Sequence, residues 1–267
     1  MSPHTLSMDG LCLAAGDTPL LHDVGLTLRR GRVLALAGAS GGGKSLTTAA
    51  LLGLLPPGVR QRGGTLRLDG VAQDARAQAA LRGAVLGFVQ QAPRGGFNPL
   101  VTIGRHFLET LACDGLRGGA ARDRAASLLR EVGFDAPQAV LPLYPSQLSG
   151  GMLQRAMIAL ALARQPAFLL ADEPTTDLDL IVQAQILDLL EAMVRQRGIG
   201  LLLVTHDLSV AARLADEVAV MQAGRIVERA AVEDFFAAPR HPHSRALMAA
   251  HLALYGEALA EAEALPA

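Results

Sequence analysis

Gly38-Ala39-Ser40-Gly41-Gly42-Gly43-Lys44-Ser45 constrains this chain more than any other stretch. It fits G-x-x-x-x-G-K-[ST], a loop that cradles phosphate groups when it joins a strand to a helix. Both neighbours are legible. Residues 33–37, Val-Leu-Ala-Leu-Ala, are a short apolar run that reads as a buried strand, and residues 46–55 read as a helix stopped by Pro56-Pro57. Gly38, Gly41, Gly42 and Gly43 are expected to take φ > 0 and turn successive N–H groups towards one anion. The positive end of the helix macrodipole, beginning around Leu46, adds to that cradle. Lys44 is expected to reach the β- and γ-phosphates, and the hydroxyl of Ser45 to hold Mg²⁺. Lys44 is also the only lysine; every other Lys/Arg position is arginine. A composition that avoids lysine keeps one where a compact point charge is needed and a planar fork does not fit. These residues predict a nucleotide-binding protein.

Composition bounds the rest. A chain of 267 residues allows one large domain, or one with a subdomain. The formal net charge of -1 gives no general pull towards nucleic acid or anionic lipid. Hydrophobic residues make up 51% but aromatics 3%, so the core is expected to be Leu, Ala and Val. No apolar run approaches the ~18 residues of a spanning helix; the most apolar segment, 152–170, is broken by Gln154, Arg155, Arg164 and Gln165. The start lacks a basic region followed by an apolar one, so no signal peptide is expected. Cys12 and Cys113 stand alone, which fits a reducing cytoplasm. The expectation is a cytoplasmic protein whose membrane role comes through partners.

Along the chain, strands are expected at 6–8, 25–28, 33–37, 65–68 and 84–89. From 94 to 164 the pattern turns helical, with candidates at 103–112, 120–132 and 150–163. Alternation then returns: strand 167–171, helix 180–195, strand 200–204, helix 208–214 and strands 217–221 and 225–228. The tail from 231 reads as helical. This is an α/β core interrupted by a helical insert, divided as 1–92 and 166–230 (core), 93–165 (helical subdomain) and 231–267 (C-terminal extension).

The second half of a phosphoryl-transfer site follows from Phe168-Leu-Leu-Ala-Asp172-Glu173, an apolar strand delivering two carboxylates at its C-terminal end. Open parallel sheets place ligands there. Asp172 is expected to hold Mg²⁺ through its water shell, and Glu173 to orient and deprotonate the attacking water. His206 ends the next strand and is placed to hydrogen-bond the γ-phosphate. Gln91 follows another strand end and can reach Mg²⁺ or the attacking water. Ser149-Gly150-Gly151 opens a helix as a second anion-binding N-terminus. One γ-phosphate does not need two such sites from one chain. A head-to-tail dimer answers this, each subunit's Ser149 helix covering the ATP held by the other.

In this order, from the phosphate loop through Gln91, Leu148-Ser-Gly-Gly-Met, Leu169-Leu-Ala-Asp-Glu-Pro and Asp179 to His206, the sequence resembles the ATP-binding cassette (ABC) ATPases. The resemblance implies an α/β fold: a P-loop NTPase (RecA-like) core with an antiparallel β part and a helical ABC-specific subdomain. It also implies two ATPs sandwiched between cassettes, with Asp179 at the dimer seam. Tyr144-Pro-Ser-Gln, Phe97-Asn-Pro-Leu100 and His241-Pro-His-Ser-Arg-Ala-Leu resemble the dipeptide, oligopeptide and nickel importer branch. Val59-Arg-Gln, Thr176-Asp-Leu-Asp179 and His251-Leu-Ala-Leu-Tyr-Gly256 are most similar to its nickel-importing members, and the tail has no cysteine for an iron–sulfur segment.

The resemblance implies a second, related cassette as partner, two membrane-spanning permease subunits, and a substrate-binding protein outside the membrane. It places the chain at the cytoplasmic face of the inner membrane as a peripheral subunit. Phe97 and Leu100 are candidate permease contacts or ordinary core residues. A peptide importer, or a cassette ATPase acting on nucleic acid or ribosomes, is the alternative; the chain lacks the basic stripes of the latter. Where many cassettes stack adenine on an aromatic residue, Leu13-Ala14-Ala15 offers none, so GTP is expected to compete with ATP. His241, His243 and His251 make a poor nickel set, with no cysteine or carboxylate cluster beside them.

Overall fold

The computed structural model describes residues 3–176 and 178–263, with 254–263 described by their backbone. Asp177 of the Thr176–Asp179 motif and residues 264–267 of the tail lie outside that description.

The chain opens with a hairpin of β1 (Thr5–Ala15) and β2 (Thr18–Arg29), followed by β3 (Val33–Ala37) and α1 (Lys44–Leu52). Next come β4 (Val59–Leu68), β5 (Val71–Ala72), α2 (Ala75–Leu81) and β6 (Leu86–Val89). Helices alone follow: α3 (Pro93–Gly96), α4 (Ile103–Ala112), α5 (Gly118–Glu131), α6 (Pro137–Val140), a 3₁₀ turn at Pro145–Gln147 and α7 (Gly150–Ala161). Alternation resumes with β7 (Phe168–Asp172), α8 (Leu180–Arg197), β8 (Gly200–Thr205), α9 (Leu208–Leu214), β9 (Glu217–Gln222) and β10 (Arg225–Ala231). The chain closes through α10 (Val232–Ala237) and α11 (Pro242–Glu263).

Two sheets result. One is antiparallel, in the order β2-β1-β4-β5; the other runs β10-β9-β3-β8-β7-β6. In the second, β9, β3, β8, β7 and β6 are mutually parallel and β10 pairs antiparallel at the edge. The central strands are short, apolar and buried along their length, as a parallel sheet covered on both faces requires. Their alternate side chains feed two cores. Val33, Ala35 and Ala37 of β3, with Leu201 and Leu203 of β8, face the helices. Leu34 and Leu36, with Leu202 and Val204, face the antiparallel sheet and α1. Full burial of such an aliphatic side chain contributes about 1.5–3 kcal/mol. The order of the strands then places the C-terminal ends of β3, β6, β7 and β8 along one rim of the sheet, where the candidate residues sit.

Several boundaries differ from the sequence reading. The helix expected at 46–55 ends at Leu52, three residues short of the expected end, because Gly53 takes φ 64 and its N–H closes on the carbonyls of Ala49 and Ala50. The strand expected at 6–8 continues to Ala15, since register shifts let β1 bend and stay paired on both sides. The helix α2 escapes the pattern altogether; the Asp74 carboxylate starts it by accepting the N–H of Ala77 at 2.7 Å.

Candidate active site

The loop after β3 is shaped by its neighbours as much as by its own glycines. Gly38 has φ 147 and Gly43 φ 106. A Cβ on Gly38 would stand 2.3 Å from the carbonyl oxygen of Met221, and one on Gly43 2.5 Å from Cδ2 of Leu21. Gly41 also has positive φ, but Gly42 does not. The expectation for Gly42 is therefore corrected: its N–H donates to the carbonyl of Ala39 at 3.2 Å and its own carbonyl accepts from Gly224 at 3.0 Å. Gly42 closes the loop against the β9–β10 turn instead of donating outward.

Lys44 begins α1 and folds back under the loop, where Nζ donates to the carbonyls of Gly38 at 2.8 Å and Ala39 at 3.0 Å. An ammonium carries three donors, so one is left for a ligand. Burial pushes the Lys44 pKa below its usual value, opposed by the nearby charges of Glu173 and Asp172. Asp172, at the end of β7, is 7% exposed. Burial pushes its carboxyl up; a hydrogen bond from the exposed Ser45 hydroxyl pulls it down, Glu173 adds to the rise and Lys44 opposes it. Its Oδ1 is buried without a hydrogen-bond partner. A buried, unmatched carboxylate oxygen beside a hydroxyl is a donor set suited to a hard divalent cation that keeps part of its water shell.

Glu173 follows with φ 47, a left-handed backbone that a non-glycine residue holds only at a cost, and its N–H is tied to the carbonyl of Val204 at 2.9 Å. Three side chains converge on its carboxylate. Nε2 of Gln91 and Oγ1 of Thr176 each donate to Oε2 at 3.0 Å, and Nδ1 of His206 lies 3.0 Å from Oε1. The strand ends thus deliver their residues to one cavity of about 710 Å³, within the size range of ligand sites. Ala39, Ser40, Gly41, Gly43, Lys44, Ser45 and Leu46 face it with Gln91, Glu173 and His206. Asp172 sits behind Ser45, and Gly38 contributes its carbonyl to Lys44.

Two lining residues escape the sequence reading, Leu20 and Thr176. The signal for Thr176 is available, a hydroxyl one turn beyond a strand-end carboxylate; for Leu20 it is not, because the hairpin must fold before β2 meets the loop. In the neighbourhood read as facing the base, Leu13 and Ala14 are buried in the antiparallel sheet and Ala15 is half-buried, while Leu20 faces the cavity.

Ser149, Gly150, Gly151 and Asp179 are not brought to this cavity. They form a separate surface where the starts of α7 and α8 meet. Ser149 Oγ caps α7 by accepting the N–H of Met152 at 3.3 Å, and Asp179 Oδ1 caps α8 by accepting from Ile181 and Val182 at 3.1 and 2.9 Å. A Cβ on Gly151 would stand 2.5 Å from Cγ1 of Val182, so this glycine is set by the closeness of the two helices. Leu180 and Ile181 beside it are 83% and 73% exposed. Of the two loop candidates, Phe97 is core, 4% exposed with its ring edge-on to His106, whereas Leu100 is 84% exposed. His241 and His243 belong to the tail's internal bonding, the N–H of His243 donating to Nδ1 of His241 at 3.2 Å. Among the described residues no group of three or more His, Cys, Asp or Glu is set to hold a metal ion, and no helix is long and apolar enough to cross a membrane.

Residues 21–176 match the profile of the family described as ABC transporter. The chain belongs to the ABC transporter family. Among its curated relatives, the nickel import ATP-binding protein NikD of Rhodospirillum rubrum is 52% identical over 254 residues, covering 94% of this chain and 96% of the relative. The NikD of Brucella suis is 47% identical over 260 residues, covering 96% and 98%. Solved ABC structures share the fold. The cbiO1 protein of Clostridium perfringens, part of the ABC transporter complex cbiONQ, superposes with a TM-score of 0.77 at 26% identity over 88% of this chain and 92% of its own. The cassette MJ0796, in a dimeric post-hydrolysis state bound to ADP and Pi, gives 0.74 at 26% identity over 85% and 98%. The two-sheet architecture with its helical part is therefore that of an ABC cassette.

Proposed function

We propose that this chain is the ATP-hydrolysing subunit of an ABC importer for nickel. The observation that carries the motor reading is the convergence of Lys44, Glu173, Gln91 and His206 on one cavity above the strand ends. The near full-length similarity to nickel import ATP-binding proteins supports the cargo.

The chemistry follows from the residues. The loop amides and the remaining donor of Lys44 bind the β- and γ-phosphates. Ser45 and Asp172 would hold Mg²⁺, with Gln91 as a neutral ligand, and the ion would offset the phosphate charge. Glu173 orients a water molecule and takes its proton as the water oxygen bonds to the γ-phosphorus. The bond from that phosphorus to the β–γ bridging oxygen breaks, and ATP and water become ADP and phosphate. His206 hydrogen-bonds the γ-phosphate and reports its presence across the sheet.

Ser149, Gly150, Gly151 and Asp179 face away from the chain's own cavity, so they serve the nucleotide of a second, related cassette in a head-to-tail dimer. Binding of ATP closes that dimer and hydrolysis resets it. The exposed Leu100 is a contact for one of two membrane-spanning permease subunits, which hold the cassette at the cytoplasmic face of the cell membrane. A substrate-binding protein outside the membrane delivers the cargo; nucleic acid is not a partner.

The test is uptake by cells carrying the wild type or Lys44→Ala, with labelled nickel and labelled dipeptide in parallel. Loss of nickel uptake alone is the expected result. Loss of dipeptide uptake alone would keep the motor and replace the cargo, and unchanged uptake of both would overturn the importer.

A further inference from the structure

A carboxylate that acts as a base has to present one lone pair in a fixed direction, yet the last torsion of a glutamate side chain is broad and roughly two-fold. Something must choose its orientation. Three side chains touch the Glu173 carboxylate, and they are not equivalent. Gln91 follows β6 and His206 follows β8, and the proposed reaction needs both of them at the nucleotide, so their bonds to Glu173 compete with that duty. Thr176 stands on the same turn as Glu173, three residues on, and its N–H also closes on the Glu173 carbonyl at 3.3 Å. Its hydroxyl donates to Oε2 at 3.0 Å, on the oxygen opposite the one beside His206. That turn starts from the left-handed backbone at Glu173, φ 47, so the hydroxyl and the carboxylate are set against each other by one local conformation.

We infer that Thr176 is a positioning residue for the general base: its hydroxyl holds Oε2 of Glu173 through the cycle and leaves Oε1 to face the attacking water. The inference rests on the reading of Glu173 as the base. Serine keeps the donor and valine keeps the shape without it, which separates the hydrogen bond from packing.

The experiment uses the chain assembled with its transport partners and compares wild type, Thr176→Val, Thr176→Ser and Glu173→Gln in ATP turnover and ATP affinity. Thr176→Val is expected to lower kcat by about 10- to 100-fold, the usual range for an outer hydrogen-bond partner, with KM for ATP and nucleotide affinity unchanged. Thr176→Ser is expected to stay within about 3-fold of wild type, because it retains the donated hydrogen bond.

Wild-type turnover in Thr176→Val, or equal loss in the serine and valine variants, would overturn the inference. Loss of nucleotide affinity in the valine variant would do so as well, by making Thr176 part of the fold. Full activity in Glu173→Gln, or none in the wild type, would instead overturn the reading on which it rests.

Discussion

Lys44 and Asp172 are buried against their own charge, and this shows in the pH dependence of folding. Burial raises the Asp172 pKa. The stability it contributes is therefore complete below its ordinary value of 3.8 and is lost as pH rises through the folded value. Burial lowers the Lys44 pKa, so its contribution is present above 10.5 and lost as pH falls through the folded value. As pH moves from those limits towards neutrality each contribution declines, and burial of the charged form becomes a cost. Asp172→Asn is expected to raise the melting temperature of the protein without nucleotide by about 2–4 °C at neutral pH, taking the cost as on the order of 1 kcal/mol. The gain should shrink as pH falls towards 3.8, where the wild-type carboxyl is itself protonated, and turnover should be lost throughout. Thermal unfolding across pH checks the sign; a gain that grows on acidification is the opposite of what is expected. Glu173→Gln is expected to keep ATP binding and slow hydrolysis by about 10²–10⁴, the usual contribution of a general base, and single-turnover assays measure it. At Leu20 the consequence is selectivity. The residues described around the cavity include this aliphatic side chain and no Phe, Tyr or Trp, and stacking contributes about 1–3 kcal/mol per base where it occurs. GTP should displace bound ATP within about 3-fold of ATP's own affinity, since that stacking is missing; a strong ATP preference in competition binding would remove the idea.

Between α7 and α8 the sequence tells less than the packing does. Gly150 and Gly151 look alike as text, two glycines opening a helix, yet only one is constrained. A Cβ on Gly150 meets Cδ2 of Leu178 at an ordinary 3.9 Å, whereas on Gly151 it meets Val182 at 2.5 Å. Gly150→Ala should stabilise the fold by up to about 1 kcal/mol through helix propensity. Gly151→Ala should destabilise it by about 1–3 kcal/mol through overpacking, and Val182→Ala in the same chain should recover most of that loss. Denaturant unfolding of the three variants separates them; equal effects of the two alanines would break the argument. The same contrast explains what was legible in the sequence. Helices with a polar cap ahead of an apolar period, α4 after Thr102, α8 after Asp179 and α9 after Asp207, begin where the pattern places them. Strands that end at the site, β3 and β7, declare themselves because burial on both faces leaves a continuous apolar run. The long β1 and β4 do not, since bulges break their alternation and glycines interrupt their pattern. Leu20 was hidden for a related reason, as it meets the cavity only after a hairpin has brought distant residues together, whereas the Thr176 hydroxyl lies one turn beyond Glu173.

Across the whole molecule, the two surfaces that the proposed reaction uses do not meet within one chain. The cavity lies above the strand ends, while the capped starts of α7 and α8 stand apart from it, flanked by the exposed Leu180 and Ile181. Two large apolar side chains held out at the start of a rigid helix fit a face that closes against another protein better than one exposed throughout the cycle. In the proposed head-to-tail dimer a second cassette meets both needs, covering these side chains and supplying a capped helix to each nucleotide. If hydrolysis is what reopens the pair, then Glu173→Gln should hold it shut. Light scattering on that variant with its second cassette is expected to show the mass of two cassettes with ATP and of one with ADP. Leu180→Asp in the same background should place a carboxylate in the closing seam, abolish the doubling and leave ATP affinity unchanged. Leu180 is not among the residues lining the cavity, so a concurrent loss of ATP binding would point to damage of the fold. Doubling that persists in Leu180→Asp would take this face out of the seam and leave the exposed pair to another partner.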